Sequence, residues 1–209
     1  MKEVHAVDAA GVHPLLLAIG SERYTPYMPT KQPAELLTIA NHILGTGQLS
    51  LAKYLFITAD DAGKLHTHDI QKYFSYLLER IKNERDIHFH THTTIDTLDY
   101  SGTGLNTGSK VVFAAYGEPV RELSRELPDA LKTLNGVKDC KMIMPGVLAL
   151  QSVPYQNASE TAKEVAALNS QLADQLDGLK GVPIIIWCDD AGFTAKDLRN
   201  FLWVAFTRS

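Results

Sequence analysis

Tyr54-Leu55-Phe56-Ile57 stands just before Asp60-Asp61-Ala62-Gly63, and this stretch decides the fold. A short, continuous apolar run that ends in a turn signal is typical of a buried strand. Similar runs, some of them rich in Thr and Ile, predict further strands over residues 13–19, 87–98, 110–116, 140–150 and 183–187. The 140–150 strand is interrupted at Pro145-Gly146.

Amphipathic segments lie between these strands. Pro33 fits the first position of a helix that ends before Gly45, and Asp69 can begin a second helix that runs to residue 81. Three more helices are predicted over residues 123–134, 159–176 and 196–206, with Ser159 as a helix N-cap. Alternation of strands and helices predicts an α/β fold: a mostly parallel sheet flanked by helices and joined by right-handed crossovers. We expect one domain, 1–209, with two related halves at about 1–117 and 118–209.

A strand–DDAG–helix unit occurs twice. Asp189-Asp190-Ala191-Gly192 follows the strand over 183–187, as Asp60-Asp61-Ala62-Gly63 follows its own strand. One interpretation is an Asp-rich turn that caps the next helix. Paired carboxylates at strand ends can also bind Mg²⁺. A metal-dependent α/β enzyme that uses Asp60/Asp61 and Asp189/Asp190 therefore stays open as an alternative.

Composition narrows the class of protein. The chain has 209 residues, of which 45% are hydrophobic, and a formal net charge of −4, so it has no general attraction to nucleic acid. Two cysteines are typical of a reducing compartment. No apolar run approaches the ~18 residues that span a bilayer, and the first residues lack the apolar core of a signal peptide. We expect a cytoplasmic protein with no transmembrane segment and no nucleic-acid partner.

Histidines form the most evident group of potential metal ligands. His88, His90 and His92 alternate, so in a strand all three lie on one face, where three imidazoles can bind Zn²⁺. His66 and His68 are further ligands that can approach from elsewhere. No carboxylate or cysteine stands at a standard spacing from them, which favours a solvent-facing polar stripe and predicts no metal ligand.

Three other features predict no site. Glu and Arg residues between 118 and 126 recur at the spacing of a solvated helix face. The Gly-rich stretch 102–110 lacks the Gly-Lys-Ser/Thr ending of a phosphate-binding loop. Cys140 and Cys188 lie in apolar strands and are expected to be buried and unreactive. Trp187 and Trp203 are expected to anchor a core or an interface.

Several stretches resemble the C-terminal part of UbiD-type decarboxylases. The similar segments are Gly47-Gln48-Leu49-Ser50-Leu51-Ala52-Lys53 with the strand and Asp pair after it, Thr97-Leu98-Asp99-Tyr100, the loop and strand over 104–112, Trp187-Cys188-Asp189-Asp190, and Phe201-Leu202-Trp203-Val204-Ala205-Phe206-Thr207-Arg208. Together they touch most of residues 1–208.

The resemblance implies the C-terminal domain of a non-oxidative decarboxylase of aromatic or α,β-unsaturated carboxylic acids, similar to the 3-polyprenyl-4-hydroxybenzoate decarboxylases of ubiquinone biosynthesis. Such enzymes use prenylated FMN, held with a divalent metal (Mn²⁺) and K⁺. The small acid adds to the iminium carbon of the flavin, loses CO₂ and is protonated by a Glu. Family members are homo-oligomers, dimers or hexamers, and this domain carries much of the contact between their protomers.

Lys53 is the one position onto which a cofactor contact of the family maps clearly. A Lys directly before the first strand of this domain supplies a point charge for the cofactor phosphate. The family's catalytic Glu-Arg-Glu set and its metal-binding Asn, His and Glu lie upstream, so the resemblance implies no catalytic residue and no metal ligand in this chain. The family also continues past the position of Ser209. We therefore expect a fragment that is inactive without the remainder of the polypeptide; a stand-alone assembly or small-molecule-binding module is the alternative.

Overall fold

The computed structural model describes residues 1–7, 14–24, 27–99 and 104–207. The strands are β1 (Glu3–Ala6), β2 (Leu15–Gly20), β3 (Tyr54–Ala59), β4 (Ile87–Thr94), β5 (Thr107–Ala115), β6 (Asp139–Met144), β7 (Val147–Gln151) and β8 (Ile184–Cys188). The α-helices are α1 (Ala34–Leu44), α2 (Ile70–Leu78), α3 (Asn83–Asp86), α4 (Ala158–Asp174), α5 (Ala191–Thr194) and α6 (Leu198–Thr207), and short 3₁₀ helices cover Gly47–Leu51, Asp129–Thr133 and Leu176–Leu179. The chain forms two compact units, one of Met1–Val120 with the chain from Leu202 onward, the other of Arg121–Phe201.

The α/β class is confirmed, but the prediction of a mostly parallel sheet is wrong. The first unit contains a mixed sheet in the order β1-β2-β3-β5-β4. Its inner pairs β2/β3 and β3/β5 are parallel, whereas β1/β2 and β4/β5 are antiparallel. The second unit has a separate three-stranded sheet, β6-β7-β8, with one antiparallel and one parallel pair.

Connection length explains the mixed topology. Parallel neighbours need a crossover of a dozen or more residues, as α1 provides between β2 and β3. No helix lies between β4 and β5 in the described chain, and these strands pair antiparallel. β6 and β7 form a hairpin at the predicted interruption, Pro145-Gly146, where Gly146 has a φ of +78° that favours glycine.

Helices cover both faces of the first sheet, as predicted. On one face, α1 packs Leu36, Ala40 and Ile43 against a buried cluster that includes Leu16 and Leu55. Helix and sheet approach closely at Gly20, where an added Cβ would lie 2.5 Å from the Leu36 side chain.

Aromatic rings fill the opposite face of the same sheet. Phe56 of β3 lies 4.3 Å from the ring centre of Phe113 on β5, 5.0 Å from that of Phe74 on α2 and 5.9 Å from that of Phe206 on α6. β3 therefore has apolar neighbours on both faces, which is why its sequence is almost wholly apolar.

Tyr73 of α2 adds a polar contact inside this core. The side chain is fully buried, and its hydroxyl lies 2.7 Å from the carbonyl oxygens of both Ala18 and Phe56, to which it donates. The hydroxyl also accepts from the Ala18 N–H at 3.3 Å. One side chain thus joins α2 to the backbones of the neighbouring strands β2 and β3, and burial raises the pKa of its phenol above the ordinary value.

The second unit packs α4 on the sheet β6-β7-β8 through a small core of Leu148, Leu150, Leu168 and Leu179. The N-cap of α4 differs from the sequence prediction. It is Asn157 rather than Ser159, and it accepts from the Glu160 N–H at 3.0 Å, so α4 begins at Ala158.

The predicted helix over 123–134 is wrong. Pro128 lies in its middle and lacks the N–H that a helix interior requires, so only a 3₁₀ helix forms after it. The Ser124 N–H instead donates to the Gly181 carbonyl at 2.8 Å, and the Ser124 carbonyl accepts from the Gly146 N–H at 2.9 Å.

The expected strand start at residue 13 lies outside the described residues.

The Tyr73 hydroxyl gives a first testable expectation. Tyr73→Phe should lower the free energy of unfolding of the first unit by about 1–2 kcal/mol, because buried backbone groups lose a hydrogen-bond partner. Urea unfolding followed through Trp203 in a Trp187→Phe background reports on this unit. The matched control is Tyr27→Phe, at a side chain of the same unit that is 79% exposed, and an equal loss in both variants would contradict a special role for Tyr73.

Candidate functional site

Lys53 lies directly before β3, at the end of the first sheet where its parallel strands begin. Its backbone N–H donates to the Pro14 carbonyl at 3.0 Å and its carbonyl accepts from the Val111 N–H at 2.9 Å. The Nζ atom lies 3.4 Å from Oδ2 of Asp99, and the two side chains are only 16% and 19% exposed. The sheet therefore fixes the Lys53 backbone, and a half-buried ion pair restrains its ammonium group.

Lys110 is a second cation in this region. It precedes Val111, the partner of Tyr54 in the β3/β5 register, so Lys110 and Lys53 are neighbours on the same face of the sheet. Lys110 is 4% exposed and its Nζ donates to the Ser50 carbonyl. Burial lowers the pKa of this ammonium below the ordinary value.

Sequence reasoning missed this neighbour of Lys53. In the sequence, Lys110 is the last residue of the Gly-rich stretch 102–110, for which no site was predicted. Part of this stretch lies outside the described residues. Strand register would have identified Lys110. Tyr54 pairs with Val111 in the β3/β5 register, so the residues before them, Lys53 and Lys110, are also neighbours.

Asp60 and Asp61 lie at the other end of β3. Burial opposes ionisation of Asp60, but backbone N–H groups of Leu65 (2.7 Å), Lys64 and Ala62 (3.0 Å) donate to its carboxylate and outweigh this effect, so its pKa is lowered. Asp61 accepts from the Tyr116 hydroxyl at 2.8 Å and from Lys31 Nζ at 3.2 Å, and against its burial these partners lower its pKa.

The second Asp pair also organises backbone. Asp190 is the N-cap of α5 and accepts from the Phe193 N–H at 2.8 Å, while Asp189 is exposed. The first pair organises a turn and does not cap α2, whose N-cap is Asp69, whereas in the second pair Asp190 caps the helix that follows. Nowhere in the described residues do three or more His, Cys, Asp or Glu side chains form a group that could hold a metal ion. The metal-dependent alternative has no support from these carboxylates.

The expectation that His88, His90 and His92 share one face is wrong. A bulge interrupts the β4/β5 register after His90, and His92 has a φ of +53°, which ends the alternation. A wholly solvent-facing stripe is wrong as well, since His88 and His90 are half-buried opposite Val112 and Lys110, and His88 Nε2 has no hydrogen-bond partner.

His66 and His68 lie by Glu3 of β1. Their Nδ1 atoms are 3.7 and 3.3 Å from the Glu3 carboxylate, and the His68 ring stacks on that of His5 with centres 4.0 Å apart. The Thr67 hydroxyl donates to Glu3 at 2.6 Å and is the main cause of the lowered pKa of this carboxyl. The cluster ties β1 to the segment before α2.

Cys188 is buried as expected, whereas Cys140 is only half-buried. Burial raises the pKa of both thiols, which leaves less thiolate at neutral pH and agrees with the expectation of unreactive cysteines.

Comparison with known proteins decides the family. The model of the 3-octaprenyl-4-hydroxybenzoate carboxy-lyase (UbiD) C-terminal domain matches residues 1–115, more than half of the chain. The chain belongs to the UbiD C-terminal domain family. A Chlamydia pneumoniae protein whose name assigns it to 4-hydroxybenzoate decarboxylase is 33% identical over 208 residues, and an uncharacterised protein of Chlamydia trachomatis is 33% identical over 214. Both alignments cover 100% of this chain but 32% of the relative, so the chain spans about a third of these relatives' length.

Solved structures of UbiD-class proteins are similar to this UbiD domain only at a low level. A UbiD-class enzyme from Pelotomaculum thermopropionicum in complex with FMN aligns over 64% of this chain and 28% of its own, with a TM-score of 0.41 and 13% identity. An apo 3,4-dihydroxybenzoic acid decarboxylase from Enterobacter cloacae aligns over 63% of this chain and 28% of its own, with a TM-score of 0.41 and 17% identity.

In the described part of the chain, no helix combines the length and apolar character of a membrane span.

Lys53 of this UbiD domain fits a phosphate by the chemistry of its donor. Ammonium groups are point charges that bind phosphate oxygens well. Lys110 is buried with its Nζ on the Ser50 carbonyl, so the more exposed Lys53, paired with Asp99 at 3.4 Å, is the lysine that a phosphate would engage.

Asp60 gives the second expectation. Asp60→Asn should lower the free energy of unfolding of the first unit by about 2 kcal/mol at pH 7, since buried N–H groups lose a charged acceptor. The folded pKa is lowered, so this contribution is present above the unfolded pKa of about 3.9 and is lost as pH falls through the folded value.

Urea unfolding of both proteins between pH 7 and pH 3 measures this difference. The matched control is Asp189→Asn, at the exposed carboxylate of the second pair, which should change stability by less than about 0.5 kcal/mol. A difference between Asp60→Asn and the parent protein that does not shrink at acid pH would contradict the assignment.

Proposed function

We propose that this chain is the C-terminal domain of a prenylated-FMN-dependent, non-oxidative decarboxylase of small aromatic or α,β-unsaturated carboxylic acids. Membership of the UbiD family supports the enzyme class. The observation that supports the role of this domain is the half-buried Lys53, held at the start of β3 beside Lys110. Lys53 binds the cofactor phosphate, and the domain closes one side of the cofactor cleft.

Chemistry and positioning are divided between this domain and the remainder of the polypeptide. When bound, prenylated FMN supplies the electron sink that loss of CO₂ requires. The remainder contributes the catalytic acid and base together with the divalent metal, Mn²⁺, and K⁺. The domain itself is inactive alone, and it mediates assembly into a dimer or hexamer.

Asp99 controls how strongly Lys53 attracts phosphate. In the free domain the carboxylate compensates the ammonium charge at 3.4 Å, and phosphate binding replaces this pair. A carboxylate and a phosphate compete for one ammonium group because each is stabilised by the same charge. Removal of the Lys53 ammonium should therefore lower the affinity for phosphate, and removal of the Asp99 carboxylate should raise it.

This competition gives the third expectation. In a polypeptide of the relatives' full length, Lys53→Met should weaken FMN binding about tenfold, and Asp99→Asn should strengthen it by several-fold. Quenching of flavin fluorescence measures both affinities. Riboflavin, which lacks the phosphate, is the matched ligand, and neither substitution should change its affinity.

Two results would contradict the role of Lys53. One is an equal loss of FMN and riboflavin affinity in Lys53→Met, which would indicate altered folding. The other is unchanged FMN affinity. Lys138→Met, at a lysine of the second unit, controls for a general effect of charge.

The division of labour gives the fourth expectation. Titration of prenylated FMN into the 209-residue chain should show weak binding and no release of CO₂ from an aromatic acid. Both should be restored when the upstream polypeptide is supplied. Turnover by this chain alone would place the catalytic groups within it and would contradict the proposal.

A further inference from the structure

The second unit contains a cavity that the proposed decarboxylase role does not use. It has a volume of about 180 Å³ and lies between α4 and the ends of β7 and β8, next to Ser152 and Trp187. These two strands are parallel, and both run toward the cavity. Carboxyl ends of parallel strands are a common place for ligand sites in α/β sheets, because the connecting helix leaves a crevice there.

Apolar groups and polar groups that already have partners form most of the wall. Leu168 and Ala167 of α4 and Val153 after β7 are among the lining residues. Gln171 also lines the cavity, but its amide is occupied, since it accepts from the Asn135 N–H at 2.7 Å and donates to the Asn135 carbonyl at 3.3 Å. A ligand therefore finds an apolar surface with few hydrogen-bonding groups.

Trp187 provides a fixed aromatic face. Its Nε1 donates to the Ser152 hydroxyl at 2.6 Å, and Ser152 is 8% exposed. This hydrogen bond holds the indole plane in place. A rigid indole offers a large flat apolar surface, against which the apolar part of a ligand can pack.

Glu164 is the charged residue among those that line the cavity. Within the described part of the chain, no hydrogen bond or ion pair joins its carboxylate to another residue. Glu160, one turn earlier on α4, is instead paired with Lys163 at 2.9 Å. An unpaired carboxylate beside an apolar wall is complementary to a ligand that carries one positive charge and an apolar body.

We propose that this cavity binds a small organic cation, of the aryl-alkyl ammonium class, with its ammonium group on Glu164 and its apolar part against Trp187. Shape selects a compact ligand, and charge selects against the anionic acids of the proposed decarboxylase reaction. The proposal does not depend on the role of Lys53 or on the prenylated cofactor.

Phenethylammonium is the probe for the test, and the fluorescence of Trp187 is the signal. Trp203, the other tryptophan, is 46% exposed and is replaced in a Trp203→Phe background. The fifth expectation is a saturable change of fluorescence with phenethylammonium. Phenethyl alcohol and phenylacetate, the neutral and anionic counterparts, should each bind about tenfold more weakly.

Matched substitutions on α4 identify the carboxylate. Glu164→Gln should weaken phenethylammonium binding about tenfold, whereas Glu160→Gln on the same helix should leave it unchanged. Saturation-transfer NMR of the ligand with the unsubstituted protein gives the same ranking of ligands without any tryptophan replacement. The proposal is overturned if no saturable binding occurs, if phenylacetate binds as tightly, or if Glu164→Gln binds as the parent does.

Discussion

Burial of β3 on both faces is the constraint on which the first unit depends. A strand with no face open to water must be apolar throughout, and each face then needs its own helix. α1 covers one face through Leu36 and Ile43, and α2 covers the other through Phe74. The buried hydroxyl of Tyr73 ties the second helix to the backbones of two adjacent strands.

The same constraint confines polar chemistry to the two ends of the strand. Lys53 lies where β3 begins, and Asp60 and Asp61 lie where it ends. The acidic end is used for structure, since Asp60 is surrounded by backbone N–H donors and Asp61 by Tyr116 and Lys31. At the basic end Lys53 is held in a half-buried ion pair with Asp99, and the proposed cofactor contact replaces that carboxylate.

Much of the fold could be predicted from local patterns. The apolar runs at β2, β3 and β8 and the helical spacing in α1 and α2 correspond to elements of the structure. The prediction of a helix over 123–134 was wrong because it relied on periodicity and ignored Pro128. The predicted topology was wrong because connection length, rather than element order, determines strand direction. In the second unit, Glu164 and Trp187 line one cavity, which no spacing along the chain reveals.

The candidate site shows the same division. Residue types and their order along the chain determined the α/β class, the turn at the first Asp pair, the helix caps Asp69 and Asp190 and, through resemblance, the position of Lys53. Tertiary structure alone decided that Lys110 lies beside Lys53, that Asp99 pairs with Lys53, and that a bulge separates His92 from His88. Local patterns depend on neighbours within a few positions, whereas these contacts depend on the register between strands, which only the packing of the whole sheet determines.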